Sequence, residues 1–162
     1  IKLMRKAASH LLALPLAGVV LLGLGQGEAR TAFDSGSTSS VQAELPAQAL
    51  TPAAPETAAA RADFGGIWAG WMCSGKSVDI KIAVRDVTDA GATVAYASAS
   101  ESFGRYNHTF QARFAEGKLR GRFPDGGAMV FDLRGSDRMA VDYAISHGCS
   151  GEAVRQEALP AR

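Results

Sequence analysis

From residue 63 onward the side chains change character at every second position, and a period of two is the signature of strands with one buried face. In Ser77-Val78-Asp79-Ile80-Lys81-Ile82-Ala83-Val84, the residues Val78, Ile80, Ile82 and Val84 share a face. Tyr106, His108, Phe110, Ala112 and Phe114 stand against Asn107, Thr109, Gln111 and Arg113. Leu119, Gly121 and Phe123 alternate with Lys118, Arg120 and Arg122, and Met129, Phe131 and Leu133 with Val130, Asp132 and Arg134. Met139, Val141, Tyr143 and Ile145 alternate with Ala140, Asp142 and Ala144. Turn formers fall between these runs: Asp89-Ala90-Gly91, Glu116-Gly117, Pro124-Asp125-Gly126-Gly127 and Gly135-Ser136-Asp137. With further runs at 64–72, 92–97 and 152–156 the count is about eight strands at hairpin spacing.

Eight short strands joined by tight turns form a meander, and a flat meander of that length leaves two edges open to pairing with other chains. Closure into a barrel removes both. The expected fold is therefore all-β, an eight-stranded antiparallel meander barrel, whose interior is about wide enough for side chains or one small ligand. The two cysteines fit this closure. Cys73 ends the first strand and Cys149 precedes the last, and these strands are neighbours once the sheet closes, so a Cys73–Cys149 disulfide is expected at the seam. A metal site built on Cys73, Cys149 and His147 has too few ligands at the wrong spacing, so no metal and no other cofactor is expected.

The remaining chain divides into three parts. Lys2, Arg5 and Lys6 precede an apolar run at 11–24, and Gly27-Glu28-Ala29 places small residues where a signal peptidase reads. Residues 1–29 therefore read as a signal peptide cleaved after Ala29 or, if uncleaved, as an N-terminal anchor helix, which would be the chain's one contact with a membrane. Residues 30–62 are rich in Ala, Pro, Ser and Thr, with Pro46, Pro52 and Pro55 breaking any helix. They read as a disordered linker, because so few large apolar groups cannot offset the entropy of ordering. The barrel domain is expected over 63–158, with 159–162 as a tail.

Gly66-Ile67-Trp68, within Phe64-Gly65-Gly66-Ile67-Trp68-Ala69-Gly70, resembles the G-x-W signature of the calycin superfamily, the lipocalins, avidins and bacterial metalloprotease inhibitors. The resemblance implies a structural trio of Gly66, Trp68 and Arg155, in which the Trp plugs the barrel floor and a basic residue of the last strand packs over its ring. Arg155 occupies that place in Ala153-Val154-Arg155. The barrel carries over from this resemblance; the N-terminal segment with which the protease inhibitors enter their target does not.

A net charge of +1 gives no field to attract nucleic acid. No Gly-x-Ser-x-Gly elbow and no paired carboxylates occur, so no catalytic constellation is expected and the chain does not read as an enzyme. The expected function is that of an exported, periplasmic or secreted binding module. Tyr96, Tyr106, His108 and Tyr143 would hold a small apolar or aromatic ligand in a shallow barrel mouth. The alternative is a protein–protein module, such as a periplasmic protease inhibitor or an envelope-complex subunit, with Trp71, Arg120 and Arg122 as the contact to an envelope protein.

Overall fold

The computed structural model describes residues 33–50, 59–144 and 148–156. The segment read as a signal peptide or anchor, and the 159–162 tail, lie outside the described residues. Among the described residues no helix is long and apolar enough to cross a membrane.

Eight strands close into an antiparallel barrel in sequence order: β1 (Gly66–Met72), β2 (Val78–Arg85), β3 (Gly91–Ser100), β4 (Gly104–Ala115), β5 (Lys118–Arg122), β6 (Ala128–Leu133), β7 (Arg138–Ala144) and β8 (Cys149–Arg155). The alternation becomes an inside and an outside. Trp68, Met72, Ile80, Ile82, Val84, Val94, Leu119, Met129, Phe131, Met139 and Val141 fill the interior and are almost wholly inaccessible. The β4–β5 hairpin turns on Glu116 and Gly117, with φ of 54° and 75°, the left-handed pair that matches the twist of the flanking strands.

Closure is completed by β1 pairing with β8, from Trp68 opposite Arg155 to Met72 opposite Gly151. Two glycines permit this approach. A Cβ on Gly70 would lie 1.9 Å from the Glu152 carbonyl oxygen, and one on Gly151 would lie 1.9 Å from that of Trp71. The Cys73–Cys149 disulfide joins the same two strands across a Cα–Cα distance of 4.8 Å. Cys149 opens β8 rather than preceding it, because the strand begins three residues earlier than the alternation indicated.

The ring of strands is uneven. β3 and β4 pair over ten residues, but β4 and β5 share only three pairs, Arg113–Arg120, Phe114–Leu119 and Ala115–Lys118. Beyond Arg113 the two strands diverge, and side chains take over the space between them. The Phe110 ring lies over Gly121, where a Cβ would come within 2.1 Å of it, and also contacts Phe123 and Phe131.

The expectation of a disordered linker over 30–62 is corrected for residues 33–50. They form a strap across the outer faces of β2 and β3. Asp79, Lys81, Ala83, Ala95, Ala97 and Ala99 point away from the barrel interior yet are all buried. Val41, Ala43 and Leu45 pack on Ala97 and Ala99; Ala49, with Leu45, packs on Ala83 and Ala95. The polar contacts are equally specific. Asp79 accepts from the Ser35 hydroxyl and, at 2.6 Å, from the Ala43 N–H. Lys81 donates to the Ala43 carbonyl at 2.8 Å and pairs with Asp79 at 3.1 Å. The strap thus gains its order from partners that a segment-by-segment composition argument leaves out.

Candidate functional site

The two ends of the barrel differ in chemistry. At one end the Arg155 guanidinium lies over the Trp68 ring, 4.2 Å from its centroid. It donates to the backbone carbonyls of Asp63, Gly65 and Ser136, and the Trp68 indole donates to the Phe64 carbonyl at 3.1 Å. Gly66, at φ 127°, makes room: a Cβ there would sit 2.9 Å from an Arg155 nitrogen. The expected trio of Gly66, Trp68 and Arg155 is therefore one packed unit that closes this end. A cation held over an indole contributes about 0.5–2 kcal/mol, more as water is excluded.

The opposite end opens into a cavity of about 450 Å³, within the range of small-molecule sites. It is formed by the C-terminal ends of β1, β3, β5 and β7 and the N-terminal ends of β2, β4, β6 and β8, as antiparallel alternation requires. Its floor and walls are Met72, Val78, Met129, Phe123 and the disulfide sulfurs' residues, Cys73 and Cys149. All three tyrosines of the chain, Tyr96, Tyr106 and Tyr143, converge on it. Tyr96 is the deep one, 5% exposed, and its hydroxyl meets the Met72 sulfur at 3.4 Å. Tyr106 and Phe103 stand at the rim, 41% and 55% exposed.

Phe123 is the hub. Tyr96 and Tyr143 meet it edge to face, with interplanar angles of 72° and 87°, and Tyr106 meets it at 59°. Planes so steeply inclined form walls rather than a stack. Asp125, in the turn that follows Phe123, accepts from the Tyr143 hydroxyl at 2.6 Å and from the Gly127 N–H at 2.8 Å. The Tyr143 bond, and then the Gly127 N–H, hold its carboxyl below the usual range. Partial burial first, and then the Asp125 carboxylate, push the Tyr143 phenol up to about 12. Burial, with Asp125 second, also raises Tyr106, and burial raises Tyr96 furthest.

The titration of these phenols has a definite sign. A folded pKa above the unfolded value of 10 means that Tyr143 contributes stability in full below pH 10 and loses it as pH rises toward about 12. Absorbance titration at alkaline pH should therefore show a tyrosine ionising near 12, and Tyr143→Phe should remove that step; an ordinary transition at 10 for all three phenols contradicts the geometry.

Of the four residues expected to bind ligand, the structure brings Tyr96, Tyr106 and Tyr143 together around one cavity. His108 stands apart from them. It shares their face of β4 but lies in the gap beside β5, its ring stacked on Phe110 and 5.8 Å from that of Phe123, and it is not among the lining residues. Phe103, Phe123 and Asp125 were missed. Phe123-Pro124-Asp125 follows a strand directly, so its place at a barrel rim was readable once that strand's end was fixed.

The residues expected to meet a partner are engaged within the chain. Trp71 faces outward, half-buried, with the Lys76 ammonium 5.2 Å from its ring centroid. Arg120 pairs with Glu116 at 2.7 Å, and Arg122 donates to the Gly126 carbonyl at 3.3 Å. The neighbouring basic residues Lys118 and Arg134 both pair with Asp132. Among the described residues no group of three or more His, Cys, Asp or Glu could hold a metal ion.

Fold and site together define a closed eight-stranded antiparallel barrel with one plugged end and an aromatic cavity at the other. No family model and no curated protein matches the chain. Among solved structures, a de novo designed fluorescence-activating β-barrel is similar, with a TM-score of 0.48 and 17% identity over 61% of this chain and 99% of that one.

Proposed function

We propose that this chain is an exported, non-enzymatic binding module that takes a small apolar or aromatic ligand into the barrel mouth. The observation that carries the reading is the convergence of all three tyrosines, two phenylalanines and two methionines on one cavity of about 450 Å³. A concave, mostly apolar site with a few oriented polar groups is what small ligands need. The disulfide supports export, since such bonds persist in oxidising compartments, and the signal-like segment at 1–29 points the same way. The Trp68–Arg155 plug supports the calycin resemblance, in which one end of the barrel is sealed and the other receives the ligand.

Filling the cavity tests the reading. Ser98 lines it and is 6% exposed, so Ser98→Phe places a ring in the space a ligand would occupy. An environment-sensitive uncharged aromatic dye should bind the wild-type chain with one-to-one stoichiometry. The variant should weaken that binding by about tenfold or more, a loss of roughly 1.4 kcal/mol, with an unchanged far-ultraviolet circular dichroism spectrum. Equal dye binding by both proteins would place the dye elsewhere and remove the support for this cavity.

A further inference from the structure

Charge sorts the ligands that this cavity can accept. Among the described residues its lining contains two charged side chains, Arg105 and Asp125. The Arg105 guanidinium is turned to the strap, where it donates to the Gln42 carbonyl at 2.9 Å and pairs with Glu44 at 3.5 Å. The cation closest to Asp125 along the chain, Arg122, is directed to the Gly126 carbonyl. Asp125 enters no ion pair among the described residues, and its carboxylate is held at the rim by Tyr143 and Gly127.

Apart from the Ser98 hydroxyl and the strap-bound Arg105, what faces the ligand is electron-rich: the rings of Tyr96, Tyr106, Phe123 and Tyr143, the thioethers of Met72 and Met129, and one carboxylate. Three tyrosine rings inclined at 59–87° to the Phe123 plane enclose a volume rather than cover a single surface. Such walls attract an organic cation through the ring quadrupoles and repel a carboxylate or phosphate. The Tyr143 hydroxyl is already committed to Asp125, and the Tyr96 hydroxyl to a sulfur, so neither is free to serve an anion as donor.

The geometry points to a ligand of one chemical class: an organic cation, an amine or quaternary ammonium with an apolar body, whose charge sits among the tyrosines beside Asp125. This rests on the binding function proposed above and adds the sign of the ligand's charge.

Three probes built on one phenylbutyl body separate the two ideas: 4-phenylbutyltrimethylammonium, its uncharged isostere with tert-butyl in place of trimethylammonium, and the anion 5-phenylpentanoate. Binding is read by calorimetry at low and at 0.5 M salt on wild-type protein, Asp125→Asn and Ser98→Phe. The cation should bind about tenfold more tightly than the neutral isostere, and the anion should bind more weakly than both. Asp125→Asn should cut the cation's affinity about fivefold relative to that of the isostere. The cation's advantage should shrink at high salt, as expected for a rim carboxylate exposed to screening. Ser98→Phe should weaken both ligands together. If the isostere binds as well as the cation, or if Asp125→Asn leaves their ratio unchanged, the charge assignment falls while the cavity's role in binding stands. If none of the three probes binds, both readings fall.

Discussion

Replacing Cys73 and Cys149 by serine lowers the stability of this barrel by about 4 kcal/mol. The bond spans 76 positions, and in the chain-entropy model opening a loop of that size frees about 4.5 kcal/mol of unfolded-state entropy at 25 °C. The loss is concentrated at the seam, because the disulfide is the covalent link between the first and last strands. The neighbouring non-covalent contacts there are modest, such as the Cys73 N–H donating to Ser150 at 3.0 Å. With an unfolding slope of about 2 kcal/mol per molar urea, the transition should move down by about 2 M. Treating the wild-type protein with a reductant should give the same shift as the double variant. An unchanged midpoint in both would mean that the seam is closed by strand pairing alone.

Asp79→Ala should cost about 3–5 kcal/mol and release the strap. Asp79 is fully buried and holds three partners at once: the Ser35 hydroxyl, the Ala43 N–H and the Lys81 ammonium. Removing one member of a buried pair strands the other charge in a dry site, which is far more costly than removing both. Lys81, 5% exposed, is then left with the Ala43 carbonyl as its near acceptor, at 2.8 Å. The double variant Asp79→Ala with Lys81→Met should recover most of the loss. Limited proteolysis should cut within 33–50 in the single variant and leave the barrel intact. Matching midpoints for the single and double variants, with the loss below about 1 kcal/mol, would show that the pair adds little to the strap's attachment.

The barrel was legible in the sequence because its information is local. Each strand declares its inward face by alternation, each turn by glycine and asparate-type residues, and the seam by the two cysteines. The plug was legible through a resemblance: Gly66-Ile67-Trp68 is similar to the calycin signature, and that likeness implied a basic residue of the last strand, Arg155, over the Trp68 ring. The strap was not. Its own residues lack the large apolar groups that announce burial, and its order comes from the surface beneath it. A trace of that surface does stand in the chain: Ala83, Ala95, Ala97 and Ala99 occupy outward positions where a solvated strand would carry polar side chains. Small apolar residues on the wet face of a sheet mean that something lies across them.

The position of His108 beside the cavity rather than in its lining was not legible either, for a different reason. Alternation gives the face of a strand but not the spacing to its neighbour. The three-pair ladder between β4 and β5 opens a gap that Phe110 and His108 occupy, and the period of two carries no record of where a ladder stops. Asp125 was overlooked because a turn residue next to glycines reads as a shape requirement. Its role at the rim depends on Tyr143, which approaches from a strand 18 positions away.

The strap also grips the β3–β4 hairpin that carries Phe103 and Tyr106. Ser40 holds Glu101 through its hydroxyl at 2.8 Å, and Gln42 and Glu44 hold Arg105. A load applied along the polypeptide upstream of residue 33 would thus travel through these bonds to one lip of the opening, and the width of the entrance becomes a mechanical property of a segment that contributes no residue to the cavity lining.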